Sequence, residues 1–198
     1  MAATGAEIKG KDILEIGCGR GGGLSYINCH FVPNSAIGID LNKKAIDFCT
    51  KKYSNEKIKF FYADAQKLNF DDNSFNVVIN IESSHRYSKV DLFLSEVYRV
   101  LKPGGVLLFA DFGNQYDLRK LNRQFKNMNF KRLKNEVITE NVVEALKLST
   151  PSREELVRKL LPKFLQNLGR NFAATEGTTT FNKFLTREFE YVFYVLSK

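Results

Sequence analysis

The chain has 198 residues, 43% of them apolar, with 17 phenylalanines and no tryptophan, which suits one packed domain and excludes a disordered chain. Its net charge of +8 is spread over Lys43 to Lys59, Arg119 to Lys134 and Arg153 to Arg170, a distribution that bears on association with anions and not on fold. No apolar run approaches the roughly 20 residues of a membrane span and the first ten residues lack a secretory layout, so a cytoplasmic protein is expected.

From Lys11 to Phe112 short β-rich runs alternate with helical patterns, the signature of parallel βαβ units. Asp12 to Ile16 predicts a buried first strand. It runs into the glycine-rich stretch GCGRGGG, which opens a helix. Ala36 to Asp40 predicts the second strand, and Leu41, Ala45, Cys49 and Tyr53 then share one helical face. Ile58 to Ala63 is the third strand. The turn signal Asp71-Asp72-Asn73-Ser74 precedes the fourth, Phe75 to Ile81. Val90, Phe93, Leu94, Val97 and Leu101 recur at the spacing of one buried stripe, which predicts a helix over Lys89 to Leu101. Pro103-Gly104-Gly105 is a turn before the fifth strand, Val106 to Phe112. Beyond Gly113, Tyr116 to Met128 reads as helix, Phe130 to Ile138 as strand and Asn141 to Lys147 as a short helix. Thr150-Pro151 reads as the cap and first residue of a further helix, with an overlapping capping box at Ser152 to Glu155, and Pro162 should interrupt it. Glu188 to Leu196 predicts a strand returning to the sheet.

The glycine stretch follows the first strand directly. Gly17, Gly19 and Gly22 also satisfy the dinucleotide pattern GxGxxG. A pyrophosphate would lie against that loop, and Glu15, two residues before its first glycine, would repel it. A cofactor with an ammonium, a sulfonium and no phosphate would welcome the charge, and S-adenosylmethionine has those features. Asp40 ends the second strand, where a carboxylate can accept ribose hydroxyls. Asp64 follows the third, where it could accept an adenine amine. The plain alternative for both acids is capping of the next helix. The three cysteines, Cys18, Cys29 and Cys49, and the two histidines, His30 and His85, have neither disulfide nor metal-ligand spacing, so no metal is expected.

In order, EIGCGRGGG, IGIDLN, FYADAQKLNFDDNSFNVVI and EVYRVLKPGGVLLFADF resemble the successive motifs of class I S-adenosylmethionine-dependent methyltransferases over residues 11 to 112. The resemblance implies an α/β fold: a doubly wound, Rossmann-like, seven-stranded, mostly parallel sheet with the last strand antiparallel and helices on both faces. It implies that Glu15, Gly17, Cys18, Gly19 and Gly21 hold the methionine portion, Asp40 and Leu41 the ribose and one adenine face, and Asp64 and Ala65 the adenine edge, with Asn80 or Ile81 contacting the cofactor through backbone. Family members also carry a helix before the glycine loop, for which only eleven residues precede Asp12; a shortened chain, or a lid from another segment or subunit, is the expectation.

In such sheets ligands bind beyond the carboxyl ends of the strands, so ESSH, residues 82 to 85, is expected at the reacting centre. His85 is the candidate base for a hydroxyl acceptor. With Arg86 it would instead bind a carboxylate acceptor, and Glu82 would stabilise cationic charge on a carbon acceptor. Capping of the following helix is the plain alternative for Glu82 and His85. The segment NIES lacks the Asn/Asp-Pro-Pro-aromatic signature of nucleic-acid amine methylation, and ESSH resembles bacterial O-methyltransferases acting on fatty acids and polyketide-like lipids. The expectation is therefore one domain over residues 1–198, O-methylating a small, lipid-like or aromatic acceptor, with nucleic acid disfavoured and a homodimer allowed. An apolar substrate lid is expected at about 141–186, carrying Phe164, Leu165, Leu168, Phe172, Phe181 and Phe184. The alternatives are an RNA or protein methyltransferase guided by charge, and a shortened fold kept as a non-catalytic binding module.

Overall fold

The computed structural model describes residues 7–55 and 57–198. Its strands are β1 (Asp12–Ile16), β2 (Ser35–Asp40), β3 (Ile58–Tyr62), β4 (Phe75–Ile81), β5 (Leu101–Gly113), β6 (Lys131–Val137) and β7 (Glu190–Ser197). The helices are α1 (Gly22–Phe31), α2 (Lys43–Tyr53), α3 (Val90–Val100), α4 (Gln115–Asn127), α5 (Thr139–Leu160), α6 (Gln166–Phe172) and α7 (Thr179–Leu185). One seven-stranded sheet has the order β3-β2-β1-β4-β5-β7-β6, parallel except at its β5-β7-β6 end, with helices on both sides. By contact density the chain forms two units. The first holds residues up to Asp111 with Arg119–Asn135 and Phe193–Lys198, and the second holds Phe112–Leu118 with Glu136–Val192.

In the first unit β1 is central, paired with β2 on one side and β4 on the other. Its two faces are buried in different company, which is why DILEI carries no polar alternation. Ile13 joins Ala36, Ile58, Phe60, Val77 and Ile79 beneath Leu24 and Ile27 of α1 and Ile46 and Cys49 of α2. Leu14 and Ile16 face the other way, and the stripe Phe93, Leu94, Val97 and Val100 of α3 is fully buried. Phe93, Leu94 and Val97 belong to the periodic stripe that predicts α3, whereas Leu101, also counted in it, begins β5.

Three readings need correction. The fifth strand begins at Leu101, not Val106: Leu101 pairs with Phe75 and Val106 with Val77, so the Pro103-Gly104-Gly105 turn is an excursion opposite Asn76 within one strand, with Gly104 at φ +74°. The helix expected to end at Lys147 and restart at Pro151 is the single helix α5 with Pro151 inside it. Pro151 withholds one amide, and local hydroxyls supply other bonds there: Ser149 Oγ donates to Ala145 O at 2.7 Å, Thr150 Oγ1 to Leu146 O at 2.8 Å and Ser152 Oγ to Ser149 O at 2.9 Å. Third, Ala63 falls outside β3. Pro162 does mark the stop, since α5 ends at Leu160.

In the second unit Val143, Leu146 and Val157 of α5 are buried with Phe181 and Phe184 of α7, and Phe112 meets Phe184 edge-on at 5.2 Å. Of the side chains expected in a lid, Phe181 and Phe184 are thus core, while Phe164, Leu168 and Phe172 are exposed.

The connection between β3 and β4 is pinned by one guanidinium. Arg99 donates to Glu96 through Nε at 2.8 Å and through Nη2 at 2.9 Å, to Asp72 at 2.8 Å, and to the carbonyls of Phe70 at 2.7 Å and Leu68 at 3.0 Å. Glu96 in turn accepts the Leu68 amide at 2.7 Å, and the Arg99 bonds hold its carboxyl below the usual range. Arg99→Ala is expected to lower unfolding stability by about 1–3 kcal/mol in urea titration. The depressed Glu96 stabilises the fold above its unfolded pKa, so the difference should shrink as pH falls through the folded one.

Candidate active site

The glycine loop is held to the end of β2 by backbone. The amides of Gly17 and Cys18 donate to Ile39 O at 2.8 and 3.0 Å. Asp40 then ties the loop from the side: its Oδ2 accepts the Gly19 amide at 2.9 Å and its Oδ1 the Asn42 amide at 2.8 Å. Each oxygen keeps a further lone pair for a ligand. Gly17 stands at φ +76°, and a Cβ on it would overlap Ser83 Oγ, so conformation and space both demand glycine. Gly21 caps α1 in the left-handed region, with Cys49 Sγ and the Phe60 ring beneath it.

Beyond the strand ends this loop borders a cleft of about 710 Å³ whose lining includes Gly17, Gly19, Asp40, Leu41, Ala65 and Glu82. Six of the predicted residues therefore meet at one place. Glu15, Cys18 and Asn80 are buried. Ile81, at the end of β4, is exposed and its register partner is Ala110. Asp64 Oδ1 accepts the Gln66 amide at 2.8 Å and Gln66 Nε2 at 3.2 Å, while Gln66 Oε1 accepts from Ser88 Oγ and the Lys89 amide. That is a local turn held on one of its two oxygens, and since no helix lies between β3 and β4, Asp64 does not cap a next helix as the plain alternative had it.

Glu15 is the most perturbed acid of the site. Burial, opposed by the Leu24 amide and reinforced by Asp40, pushes its carboxyl up to about 7, and its Oε2 is buried without a hydrogen-bond partner. A buried acceptor with no donor costs free energy, and an ammonium group brought to it would remove the deficit. Burial likewise pushes the Cys18 thiol up, so it is not a nucleophile.

The turn after β4 makes the other wall. Asn80 has no accessible surface, and its Nδ2 lies 3.0 Å from Ile16 O, 2.7 Å from Ser83 Oγ and 3.0 Å from Tyr87 OH. Glu82 sits at φ +50° with its amide donating to Ala110 O at 2.9 Å. Ser84, His85 and Arg86 form a short 3-10 turn. It is anchored on Asp111 at 3% exposure: Ser84 Oγ donates to Oδ2 at 2.6 Å, the His85 amide to Oδ2 at 3.1 Å and His85 Nδ1 to Oδ1 at 2.7 Å. A carboxylate only accepts, so Nδ1 carries a proton and the basic lone pair of the imidazole is on Nε2.

Asp111 and Tyr87 are the residues sequence reasoning missed. The signal for Asp111 was an acid inside the apolar run LLFADF, and for Tyr87 a lone aromatic in a polar turn. The cleft also takes in Lys43, Lys44 and Arg86, a cationic rim that only Arg86 had suggested. Among the described residues no group of three or more His, Cys, Asp or Glu side chains is placed to hold a metal ion, and no helix is long and apolar enough to cross a membrane.

Glu15 makes a prediction independent of any ligand. Its raised pKa means the fold prefers the protonated form, so that preference stabilises fully below the unfolded value of 4.5 and is lost as pH rises to about 7. Glu15→Gln cannot ionise. Over that interval the wild type should lose roughly 3 kcal/mol relative to the variant in parallel urea titrations.

Residues 14–109 match the family model described as a methyltransferase domain. Among curated proteins the chain is 37% identical over 196 residues to a phthiotriol/phenolphthiotriol dimycocerosates methyltransferase of Mycobacterium leprae, covering 99% of this chain and 73% of that one. It is 38% identical over 165 residues to a fatty-acid O-methyltransferase of Mycolicibacterium smegmatis, covering 83% and 60%. Among solved structures, a cyclopropane synthase of Mycobacterium tuberculosis superposes with a TM-score of 0.79 at 14% identity, over all of this chain and 81% of that one. A phosphoethanolamine N-methyltransferase of Haemonchus contortus, solved with S-adenosyl-L-methionine, superposes at 0.71 and 20% identity, over 99% of this chain and half of that one. Identity of this level along nearly the whole sequence is shared ancestry, and the chain belongs to the S-adenosylmethionine-dependent methyltransferases.

Proposed function

We propose that the chain methylates a hydroxyl oxygen of a lipid-like acceptor, with His85 as the base. The observation that carries this reading is the 2.7 Å pair between His85 Nδ1 and Asp111, next to residues that line the cleft. Bound S-adenosylmethionine supplies a methyl made electrophilic by its sulfonium. Glu15 would take its ammonium, with Gly17, Cys18, Gly19 and Gly21 around the methionine portion. Asp40 would accept the ribose hydroxyls, Leu41 would cover one adenine face, Asp64 and Ala65 would meet the adenine edge, and Asn80 or Ile81 would add a backbone contact.

His85 Nε2 would take the hydroxyl proton as the acceptor oxygen bonds the methyl carbon, whose bond to sulfur breaks with the electron pair left on sulfur, so that S-adenosylhomocysteine leaves. Asp111 keeps the proton on Nδ1, fixes the ring and stabilises the imidazolium that results. Glu82, held at positive φ, gives the acceptor side a fixed wall. Alignment of the reactants supplies much of the rate, an advantage that can reach ~7–11 kcal/mol. The lipid-like acceptor is drawn from the relatives, whose names specify phthiotriol lipids and fatty acids.

A second reading is favoured by Lys43, Lys44 and Arg86 on the cleft: a carboxylate acceptor, already deprotonated, held by cations and needing no base. The two readings part at His85. With a long-chain alcohol and a fatty acid as trial acceptors, His85→Ala should lower kcat on the alcohol by about 10²–10⁴ while leaving the affinity for S-adenosylhomocysteine unchanged. Asp111→Asn should lower kcat less and shift the pH profile. Equal kcat in wild type and His85→Ala on a turned-over alcohol would remove the base role, and turnover of the fatty acid alone would favour the second reading.

Calorimetry tests the cofactor assignment separately. Below about pH 7, where Glu15 is protonated, S-adenosylhomocysteine should release a proton on binding because its ammonium lowers the Glu15 pKa. Release should vanish in Glu15→Gln, and Asp40→Ala should weaken binding by roughly tenfold or more.

A further inference from the structure

The second unit carries a surface that the cleft chemistry does not use. α5 and α6 pair as an antiparallel hairpin. Gly169 packs onto Val157 and Leu161 so closely that a Cβ would overlap Leu161. Arg153 Nη1 donates to Ala173 O at 2.6 Å, and the Glu176 amide donates to Thr150 Oγ1 at 3.0 Å. Partners therefore run backwards along α5 as α6 and its following turn advance. At 3.6 residues per turn, Leu156 and Leu160 lie roughly 60–100° behind Val157, and Leu168 and Phe172 lie the same way from Gly169. In an antiparallel pair, rotations of one sense fall on one side of the seam. Phe164 stands at the turn between the helices. The five form one ridge at four-residue intervals, with exposures of 55% for Leu156, 67% for Leu160, 82% for Phe164, 67% for Leu168 and 79% for Phe172.

A continuous exposed ridge of this kind marks an interaction surface. Its surroundings say of what kind. Between residues 153 and 172 five basic side chains, Arg153, Arg158, Lys159, Lys163 and Arg170, are set against Glu154 and Glu155 alone. Lys159 adjoins Leu160 and Lys163 adjoins Phe164, both exposed, so their stems can lie along the ridge with the ammonium groups at its border. A second copy would bring the same positive charge onto the ridge, whereas an anionic lipid surface offers apolar depth and opposite charge together.

We propose that the α5–α6 hairpin docks on an anionic lipid bilayer, with Phe164 and Phe172 in the interfacial layer and Lys159 and Lys163 at the headgroups. The proposal rests on the hairpin alone and does not require the acceptor assignment. The test is cosedimentation of the full chain with vesicles of phosphatidylcholine, with and without an equal share of phosphatidylglycerol. Binding is expected to the mixed vesicles and to weaken as ionic strength rises. Phe164→Ser/Phe172→Ser and, independently, Lys159→Glu/Lys163→Glu should each lower partitioning roughly tenfold or more. Affinity for S-adenosylhomocysteine should be unchanged in both, since neither pair is among the residues assigned to the cofactor. If the serine variant unfolds early, the lysine variant decides. Failure to bind mixed vesicles, equal binding to pure phosphatidylcholine, or wild-type partitioning by the variants would overturn the proposal. A dimer that the serine variant splits, with no vesicle binding in either form, would overturn it in favour of a second copy.

Discussion

The Asn80 side chain lies where three segments converge. It is wholly buried, and its two amide protons face Ile16 O, Ser83 Oγ and Tyr87 OH. Two protons cannot serve three acceptors at once, and the hydroxyls of Ser83 and Tyr87, 2.8 Å apart, share what is left between themselves. Through this cluster the end of β1, which launches the glycine loop, is tied to the turn after β4, which carries Glu82 and His85. Burial raises the price of breaking such bonds, and it pushes the Tyr87 hydroxyl up to about 12, so the tyrosine stays a neutral donor and acceptor. The two walls of the cleft are thereby tied to each other through one buried side chain.

The site also contrasts two buried acids on neighbouring terms of solvation. Asp111 near the end of β5 accepts three donors, all of them from the Ser84–Arg86 turn, and is satisfied within the protein. Glu15 near the end of β1 accepts one amide and keeps an oxygen without a partner. Satisfied burial makes Asp111 a structural anchor for an imidazole. Unsatisfied burial makes Glu15 a place where a cation is wanted. Both follow from the same geometry, in which parallel strands deliver side chains to a dry edge of the sheet and leave the surrounding loops to solvate them.

Much of this was legible beforehand, for physical reasons. β1 and β4 coincide with their predicted ranges because strands buried on both faces are apolar without interruption, and α3 was legible because one face of a helix repeats. That Gly17 and Asp40 would meet at one cleft was legible because their residue types answer local demands of conformation and charge. The misreadings sit where a distant contact overrides a local rule. Pro151 signals a helix start, yet α5 runs through it with hydroxyls bonded to nearby carbonyls. Pro103-Gly104-Gly105 signals a break between elements, yet pairing of Leu101 with Phe75 carries the strand across it. Asp111 shows in sequence only as an acid inside an apolar run, and its role stays hidden because its partners, Ser84 and His85, are 27 and 26 residues away. The lid expectation divided for a related reason, since spacing alone cannot tell Phe184, which meets Phe112 and Tyr191, from Phe172, which faces water.

The approach of Ser83 to Gly17 limits how this sequence can drift. A side chain at 17 would need both a different backbone and a vacancy where Ser83 Oγ stands, while a residue larger than serine at 83 would press on the loop. Neither position can be exchanged first without loss. The glycine loop and the turn that follows β4, 66 residues apart in the chain, therefore behave as a single heritable unit: substitutions in one are viable only on backgrounds that the other has already prepared.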